Sequence, residues 1–295
     1  MIPLYKVRDF GESINATFEF IRENAKKLFL SVLFSSGTFA VFLSIAYVSM
    51  YESMLSGGGE FGTSTSGLLS IIAVVLFAFL LPIMVISTVV QYMLRYFELG
   101  DSSKIEVQDI VTRAFKNIGS VFVLVFIYYI LAGIGTLFCI IPGVYLAVVL
   151  APIYMIHAVE KRSIFDSFTT ALNSYSGGWW LSFGLYVVLS MILGFAVGIF
   201  SIPSAFLSVL SLSLGDEYPW IKPLSMLFQV LQNLANIFVY SVMMVAVFFR
   251  YGSLREANEA IAFRMKVNAI GQNKADINET HDLRKRGYID EDEDY

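Results

Sequence analysis

The chain of 295 residues has few of the side chains that build disulfides, metal sites and acid–base centres. Cys139 is its single cysteine, which excludes an intrachain disulfide. The two histidines, His157 and His281, are too few to form a zinc site with one cysteine. We therefore expect no disulfide, no zinc and no cofactor.

Charged residues are also scarce. They make up 15% of the chain, whereas 57% of its residues are hydrophobic, against roughly 25% and 45–50% in soluble domains. The sequence therefore predicts an all-α integral membrane protein with six transmembrane helices. Runs that are apolar and long enough to cross roughly 30 Å of hydrocarbon occur at Leu28–Met50, Gly67–Leu94, Gly119–Ile141, Val144–Val159, Trp179–Ser201 and Leu224–Phe249.

The cores of these six runs contain no lysine, arginine, aspartate or glutamate. Ion pumps and proton-coupled carriers usually need ionisable groups in their pathway, so that class of mechanism is disfavoured. The sequence also has no glycine-rich phosphate loop, no HExxH and no GxSxG motif. We therefore expect a protein that is not an enzyme and has no catalytic or metal-binding residue.

The basic residues fall on one side of the predicted membrane. If the N-terminus is cytoplasmic, every lysine and arginine except Lys222 lies in a cytoplasmic segment, as the positive-inside rule requires. We therefore expect both termini in the cytoplasm. This topology and contact with anionic membrane lipids explain the basic residues near the spans, so no nucleic-acid partner is expected.

Three amphipathic segments, at 7–28, 104–118 and 163–176, each precede a pair of spans. Their apolar residues recur at spacings of three or four, and each segment opens with potential capping-box pairs, namely Asp9 with Glu12, Ser103 with Glu106, and Ser163 with Asp166. We predict interfacial helices and three helix-plus-hairpin units. The first segment has a second interpretation, in which it packs on the protein's own cytoplasmic face.

The chain then divides into three parts. Residues 1–27 form a cytoplasmic amphipathic helix, and residues 28–252 form the membrane domain with the interfacial helices inside it. Residues 253–295 begin as a helix over 254–267 and end in the acidic run 290–294, which is typical of a disordered tail.

Prolines mark three places in or between the spans. Pro142 and Gly143 predict a two-residue corner that joins spans three and four as antiparallel neighbours. Span four is short and contains Pro152, so it either crosses the membrane or stops inside the bilayer. Pro203 predicts the end of span five, with residues 204–214 lying outside it.

Span five carries Ser190, Gly194 and Gly198 on one face. Such a ridge of small residues lets another helix approach closely. The helix that approaches belongs either to this chain or to a second copy in a dimer.

Span six is the most polar. Interhelical hydrogen bonds explain polar residues at helical spacing in a span, and a groove that is lined by water or binds lipid headgroups is the alternative. The candidate groove consists of Gln229, Gln232, Asn233, Asn236 and Tyr240.

The segments Ile140–Ala147, Phe165–Phe168 and Gly177–Trp180, with Pro152 between them, resemble a bacterial superfamily of polytopic membrane proteins. That group includes the membrane domain fused to some glycerophosphoryl diester phosphodiesterases, and stand-alone members. The resemblance implies the fold and a bacterial inner-membrane location. It does not imply the phosphodiesterase activity, because this sequence contains no such catalytic domain.

The segments Val7–Glu12 and Phe249–Leu254 are similar to stand-alone members encoded beside MoxR-type ATPases, which implies a subunit of a membrane complex. Two functional hypotheses follow. The first is a non-enzymatic inner-membrane subunit that scaffolds or anchors a complex through its cytoplasmic helices and tail. The second is a lipid or small-solute conduit along the polar face of span six.

Overall fold

The computed structural model describes residues 2–56, 64–175, 178–214 and 217–260, and the regular elements within these ranges are all helical. A short 3-10 turn covers Ser102–Lys104. The α-helices are α1 (Phe10–Ser56), α2 (Thr65–Leu99), α3 (Val107–Phe138), α4 (Ile140–Leu150), α5 (Ile153–Glu160), α6 (Ile164–Asn173), α7 (Trp179–Leu214) and α8 (Ile221–Glu259).

Six membrane spans are present in the described chain. Five are α1, α2, α3, α7 and α8, and the sixth consists of α4 and α5 together. The protein is therefore an all-α, six-span membrane protein, as predicted. The α4–α5 span has 21 residues, about 30 Å at about 1.5 Å per residue, which is long enough to cross the hydrocarbon.

Several helices are much longer than the membrane is thick. α1 has 47 residues and α8 has 39, about 70 Å and 58 Å respectively. Both helices continue beyond the hydrocarbon at the end of the bundle where α1 begins and α8 ends. We call this end, which comprises residues 2–27, 95–116, 160–175, 178 and 250–260, the basic end.

The first amphipathic segment is not a separate interfacial helix. It is continuous with span one, because the sequence around residue 28 contains no residue that breaks a helix. The predicted capping box is confirmed, since Glu12 N–H donates to Asp9 at 2.7 Å and Asp9 N–H donates to Glu12 at 3.0 Å. The inward stripe packs on the protein itself, where Phe20 is fully buried.

The second segment, predicted as an interfacial helix over 104–118, is likewise part of a span. α3 begins at Val107 after Glu106, which makes no side-chain cap bond. The capping box of Ser103 with Glu106 is therefore wrong, and Ser103 instead bonds to Asp101 in the 3-10 turn.

The apolar stripe of this second segment faces α2. Ile110 and Ala114 are fully buried, and the Ser87 hydroxyl of α2 donates to the Ala114 carbonyl at 2.8 Å. A neighbouring helix takes up the stripe that was expected to face lipid headgroups.

The third segment is a separate helix, α6, close to its predicted bounds. Ser163 is its N-cap and accepts a hydrogen bond from Asp166 N–H at 3.1 Å. Its inner side buries Phe168, while Phe165 and Leu172 are exposed on the other side. One apolar face packs on the bundle and another is available to the membrane interface.

The corner between spans three and four lies at Cys139, not at Pro142 and Gly143. Cys139 is extended, with φ −169° and ψ 151°, and Pro142 and Gly143 lie in the first turn of α4. Proline is tolerated in a first helical turn because the N–H groups there have no helical acceptor. The predicted antiparallel pairing is confirmed, since Gly143 contacts Thr136 of α3.

Pro203 interrupts its span less than expected, whereas Pro152 lies at a break in span four. α7 passes through Pro203 to Leu214, so residues 204–214 extend span five instead of lying outside it. α5 is separated from α4 at Ala151 and Pro152. α8 ends at Glu259, and the predicted acidic tail and the rest of the 254–267 helix lie outside the described residues.

The core is organised around α1, which packs against α2 and α8. The Phe20 ring lies edge-on to Tyr96 and Phe249, at 4.9 and 5.8 Å between centroids. Polar contacts also join the helices, and the Ser35 and Thr88 hydroxyls are 2.7 Å apart. This three-helix core holds the basic end together.

Candidate functional site

Two members of the predicted polar face of span six make contacts between helices. The Asn233 side chain is buried, and its Nδ2 donates to the Ser44 hydroxyl of α1 at 2.8 Å. The Gln229 Oε1 accepts from the Ser204 hydroxyl of α7 at 3.0 Å. These side chains connect α8 to two different neighbours.

The other three candidates are less enclosed. Gln232 and Asn236 are half-buried and Tyr240 is exposed. Gln229 and Asn233 are thus bonded to two different neighbouring helices, α7 and α1. Interhelical hydrogen bonding is the geometry seen for these two residues.

The small-residue ridge of span five faces outward. Ser190 and Gly194 are exposed, and a Cβ atom added at Gly194 or Gly198 would meet no described residue within 4 Å. The interpretation that this ridge packs against another helix of the same chain is therefore wrong for the residues that the structure describes. The dimer interpretation stays a prediction.

A charge cluster at the basic end joins the end of α5 to the end of α8. Glu160, at the end of α5, accepts hydrogen bonds from Tyr251 at 2.8 Å and from Arg255 Nη2 at 3.1 Å. Arg255 Nε is 3.0 Å from Glu160 Oε1, but its N–H makes no hydrogen bond, so this is a contact between charges. Arg162 and Glu259 complete the cluster by pairing with Glu160 and Arg255.

The N-terminal segment is bound to the end of α8. Arg8 N–H donates to the Ser253 hydroxyl at 3.0 Å, and the Arg8 guanidinium lies 5.1 Å from the centre of the Phe249 ring. A Cβ atom on Gly252 would collide with the Leu4 carbonyl oxygen. Glycine at 252 therefore allows residues 2–8 to lie directly on α8.

A second arginine of α8 is buried beside the start of α7. Arg250 Nε donates to the Ser182 hydroxyl at 2.7 Å, and its Nη2 donates to the Gly178 carbonyl at 2.9 Å. Among the described residues it forms no ion pair. Hydrogen bonds to neutral oxygens stabilise this charge.

Tyr175 borders the same arginine. Its hydroxyl is close to Tyr186 and Ser182 but makes no hydrogen bond of acceptable geometry. Burial raises the pKa of the Tyr175 hydroxyl to about 12, although the nearby Arg250 guanidinium opposes the rise. The hydroxyl is therefore neutral at physiological pH.

Sequence reasoning missed these basic-end residues because their partners are far apart along the chain. Glu160 and Arg255 are separated by 95 residues, and a charge at the end of a span is ordinarily explained by topology. The available signal was the glycine at 252 between charged and aromatic neighbours, since a glycine inside a helix often marks a close approach.

The described residues contain no group of three or more His, Cys, Asp or Glu side chains that could hold a metal ion. No family model, curated protein or solved structure matches the chain. The resemblance to the membrane domains of glycerophosphoryl diester phosphodiesterases therefore stays a prediction from its motifs.

Proposed function

We propose that the protein is a non-enzymatic subunit of a bacterial inner-membrane complex, and that it scaffolds or anchors its partners. The observation that carries the proposal is the meeting of both ends of the described chain at the basic end. Residues 2–8 lie on α8, and the last turns of α8 pair with Glu160. The docking surface that we propose is the basic end together with the tail that follows residue 260.

The contacts at this surface favour a fixed shape. Glu160 and Arg255 expose only 14% and 8% of their side chains, and each has more than one polar partner. Apart from the Arg255 Nε–H, these groups share hydrogen-bond partners, and such a network resists movement because each member loses a partner if another moves. A rigid platform suits the binding of other proteins.

We place the basic end in the cytoplasm. The positive-inside distribution of lysine and arginine supports this orientation, and the long extensions of α1 and α8 give the platform height above the membrane. A polar cleft of about 270 Å³ opens there between residues 2–8 and the first turns of α1. The partner class that the sequence resemblance implies is a MoxR-type ATPase.

The conduit hypothesis receives less support. A conduit along span six needs its polar side chains to face one shared path, and Asn233 and Gln229 are instead bonded to α1 and α7. We therefore propose that these residues hold helices together.

The test compares the full chain with a chain that ends at Ala260. This truncation keeps every residue of α8 and the whole charge cluster, so the melting temperature in mild detergent should not change. Quantitative mass spectrometry after affinity purification should find a cytoplasmic protein in near-stoichiometric amount with the full chain and at least tenfold less with the truncated one.

A full-length variant in which Asp290, Glu291, Asp292, Glu293 and Asp294 carry amides separates charge from length. Loss of the partner in this variant would assign docking to the acidic run. Recovery of no stoichiometric partner by the full chain, in cross-linked membranes as well as in detergent, would contradict the scaffold proposal.

A further inference from the structure

An apolar groove of about 550 Å³ lies between α1, α7 and α8. Its size is within the range of ligand pockets, roughly 300–1,000 Å³. Small side chains make the space, since an alanine faces it from each helix at Ala25, Ala196 and Ala235. α1 and α7 both pack along α8 but have little contact with each other, so the groove runs over α8 between them.

Apolar side chains line the groove along almost its whole length. The rings of Phe29 and Phe238 meet at 6.1 Å between centroids and form its floor between α1 and α8. Ala196 is exposed, so the groove is open sideways. Because the groove lies within the spanning part of these helices, the molecule that meets it is a lipid chain rather than water.

One charged residue lies at the end of the groove. Lys26 precedes the apolar run of span one by two residues, a position at the level of the lipid headgroups. It is exposed and makes no hydrogen bond or ion pair with any described residue, including Glu23 one turn earlier.

The neighbouring lysine is used differently. Lys27 Nζ donates to the carbonyl oxygens of Ser102, Ser103 and Ile105 at 2.9, 2.6 and 3.0 Å. Of these two adjacent lysines, one ties α1 to the 3-10 turn and the other leaves its charge at the mouth of an apolar groove.

From this arrangement we infer that the groove binds one anionic phospholipid, with an acyl chain between α1, α7 and α8 and the headgroup phosphate on Lys26. The acyl chain of the lipid supplies affinity because its methylene groups are buried in the groove. The lysine supplies preference for an anionic headgroup, since a cation near the surface attracts anionic lipid. The site borders the basic end, to which Ala25 and Lys26 belong, and its other lining residues lie within the spans.

The test is native mass spectrometry of the full chain in mild detergent. The first binding step is titrated with palmitoyl-oleoyl phosphatidylglycerol and with the phosphatidylcholine of the same chains. We expect tighter binding of phosphatidylglycerol. Lys26→Gln should weaken the binding of phosphatidylglycerol about fivefold, which is the contribution of one near-surface lysine. It should leave the binding of phosphatidylcholine unchanged. Lys116→Gln, at an exposed lysine of α3 with no bonded partner among the described residues, should change neither.

Substitutions that fill the groove test whether it binds the acyl chain of the lipid. Ala196→Phe, and the milder Ala196→Leu, should weaken the first binding step of both lipids, by at least tenfold for Ala196→Phe. Ala205→Phe adds the same side chain at an exposed position of α7 outside the groove, and should have no effect. Melting temperatures show whether each variant is folded.

Three results would overturn the inference. The first is equal affinity of the unaltered chain for the two lipids. The second is unchanged binding in both folded Ala196 variants. The third is an equal loss in Lys26→Gln and Lys116→Gln, which would show attraction by net charge rather than a site.

Discussion

Gly143 lies in the first turn of α4 and faces the last turn of α3. A Cβ atom there would be 2.7 Å from the Thr136 backbone nitrogen and would also collide with the Thr136 hydroxyl. Backbone cannot move aside as a flexible side chain can. The close approach of the two helices at the Cys139 corner therefore depends on the missing side chain.

Gly143→Ala should destabilise the protein by about 1–3 kcal/mol, the usual cost of overpacking. Gly133→Ala is the matched control, because a Cβ atom at Gly133 meets no described residue within 4 Å. Alanine there should leave stability unchanged or raise it by up to about 1 kcal/mol through helix propensity. The measurement is the free energy of unfolding in detergent, and equal values for the two variants would refute the close contact.

At the scale of elements, α8 is held to its neighbours by polar side chains at different depths. Asn233 bonds to α1, Gln229 bonds to α7, and Arg250 bonds to the start of α7. Hydrogen bonds between spans contribute about 0.6 kcal/mol on average. Several of them along one helix set which face it turns to each neighbour.

A double-mutant cycle with Asn233→Ala and Ser44→Ala should give a coupling energy of about 0.6 kcal/mol, and at most about 1.7. Asn236→Ala is the control, because Asn236 is half-buried and has no described partner on α1. It should show no coupling with Ser44. The conduit hypothesis would gain support if Asn233→Ala abolished lipid or solute transport in liposomes without changing stability.

At the scale of the whole molecule, the basic end joins the N-terminal segment, α5 and α8. Glu160 is the shared acceptor, with Tyr251, Arg255 and Arg162 bound to it. Its negative charge offsets that of Arg255, whose side chain is only 8% exposed. The platform therefore depends on one carboxylate from α5.

Glu160→Gln should destabilise the fold by about 3 kcal/mol, since it leaves Arg255 buried with less compensation. Hydrogen exchange should also become faster in residues 2–8, which rest on the same end of α8. Glu106→Gln changes an exposed glutamate at the start of α3 and should alter neither quantity. Unchanged exchange in the Glu160 variant would show that the segment is held independently of the cluster.

The sequence alone determined the six spans and the N-terminal caps of two helices, because these features depend on residues that are close together in the chain. A span must satisfy its own backbone over about 20 apolar residues, and that requirement is visible in any single segment. The cap of α1 by Asp9 and Glu12 and the cap of α6 by Ser163 involve residues three apart. Both were therefore predictable without knowledge of the fold.

Only the tertiary structure decided what each amphipathic stripe touches. The apolar stripe on 7–28 or on 104–118 can be buried equally well at a membrane interface or against another helix. In the structure both stripes pack against neighbouring helices. The Glu160 cluster joins residues 95 positions apart, and the groove exists because α1 and α7 both pack on α8 with little contact between them. These features depend on where whole helices lie, which spacing along one segment does not specify.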